Sequence, residues 1–320
     1  MVEKVVKAIA IREFGGPDVL QVLDLPEPQA GPGEVRIRVH AASVNPTDVL
    51  LRTGGHAVRM PGRRPPFVPG MDAAGVIDQV GAGGDGRLVV GQRVVAMPLF
   101  TGPHGGAYAE QVVVSAESVV PAPKGADFPA ASTLLMNAMT ARVSLDALGV
   151  PAGGTIAVTG SAGAVGGYVV ELAKADGLTV IADAAPGDTE LVRGFGADHV
   201  VERGPEVASG IRALVPDGVP GLVDGSMQRS EVVPAIADGG GLVELQGWPG
   251  PAARGVRVHP VMVAPGGISD TVGLDRLCRQ VESGALSLRV AQVLPADDAA
   301  RAHRMLEAGG LRGRLVLDFS

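Results

Sequence analysis

The sequence predicts an α/β protein in which a β-rich domain precedes a doubly wound parallel sheet. Residues 1–125 contain short apolar segments separated by Gly and Pro turns, which indicates a series of strands. From residue 154 onward, short β-branched segments alternate with helical patterns, as in a parallel sheet covered by helices. The chain closes on a short apolar segment that suits a strand of the first domain. We therefore predict one domain from 1–125 and 265–320, and a second from 126–264.

The first domain is predicted to consist mainly of strands. Asn45–Thr53 is an exception and suits a short helix, because Pro46 is favoured in a first helical turn. Residues 126–150 are apolar at helical spacing and predict a helix that ends before Pro151. The strand candidates before it are Val5–Arg12, Val19–Leu23, Glu34–Ala42, Gly75–Val80, Arg93–Met97 and Ala109–Val114.

The most informative segment is a strand, a glycine-rich turn, a helix and a second strand. Thr155–Thr159 is typical of a buried strand, Ala164–Ala175 has a helical period, and Thr179–Ala182 is again β-branched. In such a unit the glycines let the backbone approach a pyrophosphate, and the helix amino end attracts the anion. Asp183 follows the second strand, where a ribose-binding carboxylate is expected. The alternative is a glycine-tolerant turn without a ligand.

Strand and helix patterns continue to the end of the chain. The predicted helices are Glu190–Phe195, Glu206–Leu214, Ser230–Ala237, Thr271–Ser283 and Ala296–Ala308. The predicted strands are His199–Val201, Gly221–Asp224, Gly241–Leu245, Arg257–Val263, Leu288–Val293 and Leu315–Phe319.

Composition argues against several functional classes. No apolar run reaches the roughly 18 residues of a membrane span. The formal net charge of −7 disfavours a nucleic-acid or anionic-membrane surface. Because Cys278 is the single cysteine, an internal disulfide and a multi-thiolate zinc site are excluded. Lys and Glu interrupt the apolar amino-terminal stretch, which is untypical of a secretory signal, so we expect a cytoplasmic protein.

Segments spread over nearly the whole chain match the pattern of one family. They are KAIAIREFGGPDVLQV, GEVRIRVHAASVNPTDVLLRTG, PFVPGMDAAGVIDQVG, VGQRVVA, GGAYAEQVVV, SAGAVGGYVVELAK, GADHVV and GLRGRLVLDF. In these segments the chain resembles the medium-chain dehydrogenase/reductase superfamily, in its zinc-independent quinone oxidoreductase (zeta-crystallin-like) branch. The resemblance implies a GroES-like β-barrel domain plus a Rossmann domain. It also implies hydride transfer from NADPH to a quinone or an α,β-unsaturated carbonyl (enoyl) substrate.

The resemblance also indicates that no metal is used. Zinc-dependent relatives carry a catalytic Cys in the HAASVNPTD segment and a His-Glu pair in the PGMDAAG segment. This chain has Ser43 and Asn45 in the first segment, and Met71 and Asp72 in the second. None of the six histidines has a matching ligand set nearby in sequence.

The resemblance implies a cofactor site around the glycine turn and a substrate site beside it. Asn45 would orient the substrate carbonyl, or is simply the cap of the helix that begins at Pro46. His56, which replaces a tyrosine of many relatives, would donate a proton or is a solvated loop residue. Phe100 and Trp248 would stack on a planar acceptor or are core residues. The residues expected to contact the cofactor are Asn45, Thr140, Ser161, Ala162, Gly163, Ala164, Val165, Gly166, Asp183, Ala184, Arg203, Gln246, Gly247 and Arg314.

The choice between NADPH and NADH depends on a few side chains. Relatives have Ser or Thr and a Lys just past the second strand, and here Asp188 falls at the lysine position. The charges of Asp183 and Asp188 oppose a 2′-phosphate, although Asp183 lies one position early for the carboxylate that binds NAD. Arg203 falls where relatives place a tyrosine near that phosphate, and its guanidinium could bind the phosphate bidentately. Arg193 is a second possible donor. We predict NADPH, with NADH as the alternative.

Two further expectations concern function and assembly. A non-catalytic redox sensor or structural protein is the alternative to a reductase, and it would bind the dinucleotide without oxidising it. We expect a homodimer, because Arg257–Val263 resembles the family's edge strand and an exposed edge favours a pairing partner.

Overall fold

The computed structural model describes residues 4–84, 86–250, 253–263 and 266–320. Its strands are β1 (Val5–Ala10), β2 (Gln21–Pro26), β3 (Glu34–Ser43), β4 (Ala73–Val80), β5 (Arg93–Ala96), β6 (Gln111–Ser115), β7 (Val119–Pro121), β8 (Thr155–Thr159), β9 (Thr179–Ala184), β10 (His199–Glu202), β11 (Val219–Asp224), β12 (Ile236–Glu244), β13 (Arg257–Pro260), β14 (Val290–Pro295) and β15 (Arg314–Asp318). Its α-helices are α1 (Pro46–Arg52), α2 (Phe128–Ala131), α3 (Leu135–Leu148), α4 (Ala164–Ala175), α5 (Thr189–Gly194), α6 (Val207–Leu214), α7 (Thr271–Glu282) and α8 (Ala299–Ala308).

The chain divides into two compact units. The first comprises Met1–Met136, Ala264–Glu282 and Leu288–Ser320, and the second comprises Asn137–Val263 and Ser283–Ser287. The predicted domain boundary after residue 125 therefore lies inside the first unit.

The first unit is built on a mixed sheet with the order β14-β15-β3-β4-β5-β7, and β6 also pairs with β3. Along β3, Val35, Ile37 and Val39 are buried and alternate with more exposed residues, as in a strand with one core face. The last three residues of β3 are all buried and pair with β15. The closing strand thus returns to the first unit, and β3 leads directly into a polar cluster described below.

The second unit contains a parallel sheet with the strand order β10-β9-β8-β11-β12-β13. This order is typical of dinucleotide-binding sheets, and the order reverses between β8 and β11. Ligands of open α/β sheets bind outside the carboxyl ends of the strands at such a reversal. The glycine turn follows β8 and therefore lies at the expected binding edge.

One predicted helix is wrong. Ser230–Ala237 was expected to be helical, but Arg229–Glu231 and Val233–Ala235 form only short 3-10 turns. Strand β12 already begins at Ile236, which pairs with Val219 of β11. Pro234 lies inside the segment and has no backbone N–H, which explains why a continuous α-helix does not form.

Other boundaries differ for local reasons. Residues 17–19 form a 3-10 turn, so β2 begins only at Gln21. The long helix predicted for 126–150 is divided into α2 and α3. Ser132 Oγ and Thr133 Oγ1, which lie between the two helices, donate to the carbonyls of the second and third residues of α2, and such bonds compete with helical ones. The strand predicted for Arg257–Val263 ends at Pro260.

Among the described residues, no helix combines the length and the apolar character needed to cross a bilayer.

Candidate functional site

The glycine turn of the second unit depends on close backbone contacts. Gly160 has a φ of +70°, a conformation that favours glycine, and a Cβ there would lie 2.7 Å from the carbonyl carbon of Gly225. A Cβ on Gly166 would lie 2.3 Å from the Gly160 oxygen. Helix α4 begins just after Gly163, which acts as its N-cap. The start of α4 therefore packs directly on the turn, as a pyrophosphate-binding turn requires.

Asp183 is tied into this turn. Its Oδ1 accepts a hydrogen bond of 3.0 Å from the backbone N–H of Ser161, while its Oδ2 is buried and has no hydrogen-bond partner among the described residues. Burial raises the pKa of Asp183, and the nearby charge of Arg203 opposes this shift. The residue lies inside β9, which continues to Ala184, so the predicted end of this strand at Ala182 is too early.

The other predicted residues of the turn are mostly enclosed. The Ser161 hydroxyl donates to the carbonyl of Val158 at 2.9 Å and is therefore directed into the strand. Ala162, Ala164 and Ala184 are buried. Thr140 lies on α3, where its carbonyl accepts from Ser144 Oγ at 2.7 Å.

Two carboxylates at the same sheet edge were not singled out from the sequence. Asp224 ends β11, and its Oδ1 accepts from Thr159 Oγ1 at 2.7 Å. Glu244 ends β12, and its Oε2 accepts from the N–H groups of Gln246 and Trp248 at 2.9 and 2.8 Å. The signal was present, because each acid directly follows a Leu-Val pair at the end of its strand. Glu244 thus holds the loop that contains Gln246, Gly247 and Trp248, and Trp248 packs on the core of the unit.

In the first unit, a buried polar cluster lies where β3 passes into α1. Asp72 Oδ2 accepts from Asn45 Nδ2 at 2.8 Å and from Ser43 Oγ at 2.9 Å, and Asp72 Oδ1 accepts from the N–H of Met136 at 2.9 Å. Burial raises the pKa of Asp72 to about 6, against hydrogen bonds and the charge of Arg314 that lower it. Two predicted positions, Asn45 and Arg314, therefore lie near Asp72, which was named from the sequence only as a departure from the zinc-ligand pattern.

Asn45 is also the cap of α1, as the structural alternative predicted. Asp48 Oδ2 accepts from the N–H of Asn45 at 2.8 Å, and Asp48 Oδ1 accepts from the N–H of Gly70 at 2.9 Å. Burial raises the pKa of Asp48 to about 7. The two interpretations of Asn45 are compatible, since the cap uses its backbone and Asp72 binds its side-chain amide.

His56 and Phe100 lie side by side in the first unit. Their ring centroids are 5.3 Å apart, and His56 Nε2 lies 3.0 Å from Thr47 Oγ1. Burial and the charge of Arg59 lower the pKa of His56. Phe100 is 3% exposed. The predicted proton donor and one predicted stacking residue are therefore neighbours.

A second buried network was missed from the sequence. The Tyr108 hydroxyl lies 3.3 Å from Asp48 Oδ2 and 3.3 Å from His303 Nε2. Burial lowers the pKa of His303 to about 3. These residues are far apart in the chain, so no local pattern could indicate that they meet. The network links α8 to the same Asp48 whose side chain accepts from the N–H of Asn45, the cap of α1.

No group of three or more His, Cys, Asp or Glu side chains is arranged to hold a metal ion in the described ranges.

Comparisons with known proteins agree with this arrangement. A family model described as "Alcohol dehydrogenase GroES-like domain" matches residues 31–124, and one described as "Zinc-binding dehydrogenase" matches residues 195–317. A crystal structure of an NAD-dependent alcohol dehydrogenase is 31% identical, covers 98% of this chain and 100% of its own, and has a TM-score of 0.87. A mycobacterial protein solved in complex with NADPH is 29% identical, with coverages of 98% and 99% and a TM-score of 0.84.

Curated relatives point to one family. The rat quinone oxidoreductase is 33% identical over 62% of this chain and 59% of its own length, and the tomato 2-methylene-furan-3-one reductase is 31% identical over 75% and 62%. These matches span less than two thirds of either relative. The quinone oxidoreductase of Pseudomonas aeruginosa is 30% identical over 97% of this chain and 99% of its own length. The chain therefore belongs to the quinone oxidoreductase family of the medium-chain dehydrogenase/reductase superfamily.

Proposed function

We propose that the protein reduces a quinone or an α,β-unsaturated carbonyl compound with NADPH and without a metal. The observation that carries this proposal is the glycine turn at the strand-order reversal, closed by Asp183. The names of the relatives support it, because they include quinone oxidoreductases and an enone reductase. The hydride and one proton would together reduce the acceptor by two electrons.

The residues of the second unit fit a dinucleotide. A side chain at Gly166 would meet the Gly160 backbone, so glycine lets the start of α4 pack on the turn as a pyrophosphate-binding turn requires. Asp183 Oδ2, buried and without a hydrogen-bond partner among the described atoms, suits a ribose hydroxyl, which in NADPH would be the 3′-hydroxyl because the 2′ position carries the phosphate. NADPH, when bound, would supply the hydride; the protein would hold its phosphates and ribose at this edge.

In the first unit, Asn45 would orient a carbonyl group by exchanging its 3.1 Å bond to Ser43 Oγ for that carbonyl while keeping its 2.8 Å bond to Asp72. Its amide is neutral, and the bond to Asp72 determines the orientation of the amide nitrogen. Where zinc-dependent relatives have their metal ligands, Ser43, Asn45 and Met71 offer poor ligands for zinc. Asp72 could bind zinc, but its carboxylate already accepts three hydrogen bonds. Because its pKa is lowered, His56 is largely neutral at neutral pH, which favours solvent as the source of the proton.

NADPH is preferred to NADH because of Arg203. This guanidinium is exposed. Its charge lies close enough to Asp183 to oppose the rise that burial causes in the pKa of Asp183. Arg193 instead pairs with Glu190 at 2.7 Å. The test is calorimetric titration with both cofactors. We expect Arg203→Gln to raise the Kd for NADPH about tenfold and to leave that for NADH unchanged. Arg193→Gln is the matched control, and an equal loss for NADH would contradict the assignment.

The proposed reaction is tested by following NADPH absorbance with a neutral quinone and with a cyclic enone, in buffer with a chelator. We expect turnover with at least one acceptor, and a loss of about tenfold or more in Asn45→Ala. Tight NADPH binding without any turnover would overturn the reductase and favour the non-catalytic sensor.

We also propose a homodimer that pairs through β13. This strand lies at the end of the sheet order and pairs with β12 on one side in the described part of the chain. Its other edge is suited to a second copy.

A further inference from the structure

Arg229 occupies an unusual position at the carboxyl edge of the second unit's sheet. Its backbone N–H donates to Asp224 Oδ2 at 2.6 Å, and its φ is +56°, which is uncommon for a residue other than glycine. Asp224 also accepts from Thr159, the residue before the glycine turn. One carboxylate therefore links the backbone of Arg229 to the start of the turn.

The side chain of Arg229 faces a second carboxylate. Its Nε lies 3.5 Å from Glu244 Oε1, and neither atom has a hydrogen-bond partner among the described residues. The Glu244 side chain is 0% exposed and that of Arg229 is 44% exposed. One edge of the guanidinium is thus held against a buried charge, while the remainder is open to solvent.

This arrangement is poorly explained by stability alone. The two N–H groups bound to Glu244 Oε2 recover part of the desolvation cost of this carboxylate, but its Oε1 faces the counter-ion without a hydrogen bond and recovers little. Its consequence is geometric, because Glu244 restricts the direction of a long and flexible side chain. A guanidinium positioned in this way is the group that best binds a planar or tetrahedral oxyanion.

We propose that Arg229 binds an oxyanion, a carboxylate or a phosphate, of the ligand that occupies this edge, and that Glu244 is its positioning residue. The proposal rests on the proposed function, since the oxyanion belongs either to the cofactor or to an acidic acceptor. It goes further because it assigns the positively charged side chain of Arg229, which lies between the glycine turn and the loop of Trp248, to ligand binding.

The test measures binding separately from turnover. NADPH is titrated by calorimetry into the full-length wild type, Arg229→Gln, Arg229→Lys, Glu244→Gln and the Arg229→Gln/Glu244→Gln double variant. A naphthoquinone carboxylate and the uncharged methyl naphthoquinone are titrated into the same proteins. Circular dichroism and thermal melting establish that each variant is folded.

If the oxyanion is the cofactor's phosphate, Arg229→Gln raises the Kd for NADPH about tenfold and leaves the Kd for each of the two quinones unchanged. If it is an acceptor's carboxylate, only the Kd for the naphthoquinone carboxylate rises. In either case Arg229→Lys binds more weakly than the wild type but better than Arg229→Gln, because it keeps the charge and loses the fork. Glu244→Gln weakens the binding of the same ligand to a smaller degree than Arg229→Gln does.

The double variant separates binding from simple charge balance. It removes both charges, while the amide introduced by Glu244→Gln still offers an oxygen to the N–H groups of Gln246 and Trp248. Recovery of wild-type affinity in the double variant would show that Arg229 only neutralises Glu244 and would overturn the proposal. Unchanged Kd values for all three compounds in Arg229→Gln would overturn it as well. Absence of turnover in the wild type would instead contradict the proposed function and leave this binding result valid.

Discussion

Asn45 Nδ2 donates to Asp72 Oδ2 across 2.8 Å, and each residue is only 1% exposed. The bond determines which end of the Asn45 amide faces Asp72. The proposed catalytic amide is useful only in the correct orientation. A substitution of Asp72 should therefore lower activity even though Asp72 does not contact the acceptor itself.

We expect Asp72→Asn to lower kcat about tenfold. The carboxylate accepts three donors on two oxygens, whereas an asparagine would direct an NH2 group at one of them. Ser43→Ala is the comparison variant: it removes one donor from the same Asp72 oxygen and the hydroxyl that accepts from Asn45 Nδ2 at 3.1 Å, but it keeps the bond between Asn45 and Asp72. Steady-state kinetics with saturating cofactor would measure both variants, and a wild-type kcat in Asp72→Asn would contradict this role.

Gly166→Ala tests the glycine turn. The new Cβ would lie 2.3 Å from the Gly160 oxygen, so the helix start must move away from the turn. We expect a loss of about 1–3 kcal/mol in unfolding free energy and weaker NADPH binding. Urea unfolding and calorimetry measure the two effects.

Gly194→Ala is the control for that variant. A Cβ at Gly194 meets no atom within 4 Å, so neither stability nor NADPH affinity should fall. Equal stability and equal NADPH affinity in the two variants would show that the close packing of Gly166 on Gly160 is not important.

Much of the second unit could be predicted from the sequence because its signals are local. The bounds of β8 and α4 agree with the prediction, since a β-branched strand, a glycine turn and a helical period follow one another directly. The helix predicted for residues 230–237 was wrong for an equally local reason, because the segment contains a proline.

The polar networks could not be predicted in the same way. Tyr108 and His303 meet only because α8 packs against the amino-terminal part of the same unit, and their separation in sequence is 195 residues. The pairing of Arg229 with Glu244 likewise depends on a left-handed backbone conformation that no residue type at that position indicates. Such contacts are set by tertiary packing, and a single sequence contains no direct record of them.

His303 predicts a specific pH dependence of stability. Its pKa is lowered from 6.5 to about 3 by burial, so the unfolded chain takes up a proton that the folded protein excludes. The stability due to this effect is complete above pH 6.5 and is lost as the pH falls toward the folded pKa. Between about pH 7.5 and pH 5.5 we expect a loss of about 1.4 kcal/mol from this group alone.

Urea unfolding at both pH values would measure this loss in the wild type and in His303→Gln. The comparison is needed because the raised pKa of Asp48 changes stability in the opposite direction. The exposed His199→Gln is the control and should behave as the wild type. A wild type that is no more sensitive to acid than His303→Gln would refute the prediction.

The proposed dimer predicts a mass in solution of twice that of the chain at micromolar concentration, measured by sedimentation equilibrium. Successive N–H groups of a strand point to opposite edges of that strand. Of the two variants Arg257→Pro and Val258→Pro, one therefore removes an N–H that faces β12, and the other removes an N–H that faces the open edge. We expect one variant to lower the melting temperature and the other to shift the protein toward monomer with less effect on melting. A monomeric wild type at this concentration would exclude pairing through β13, because the strand's open edge would then have no second copy to bind.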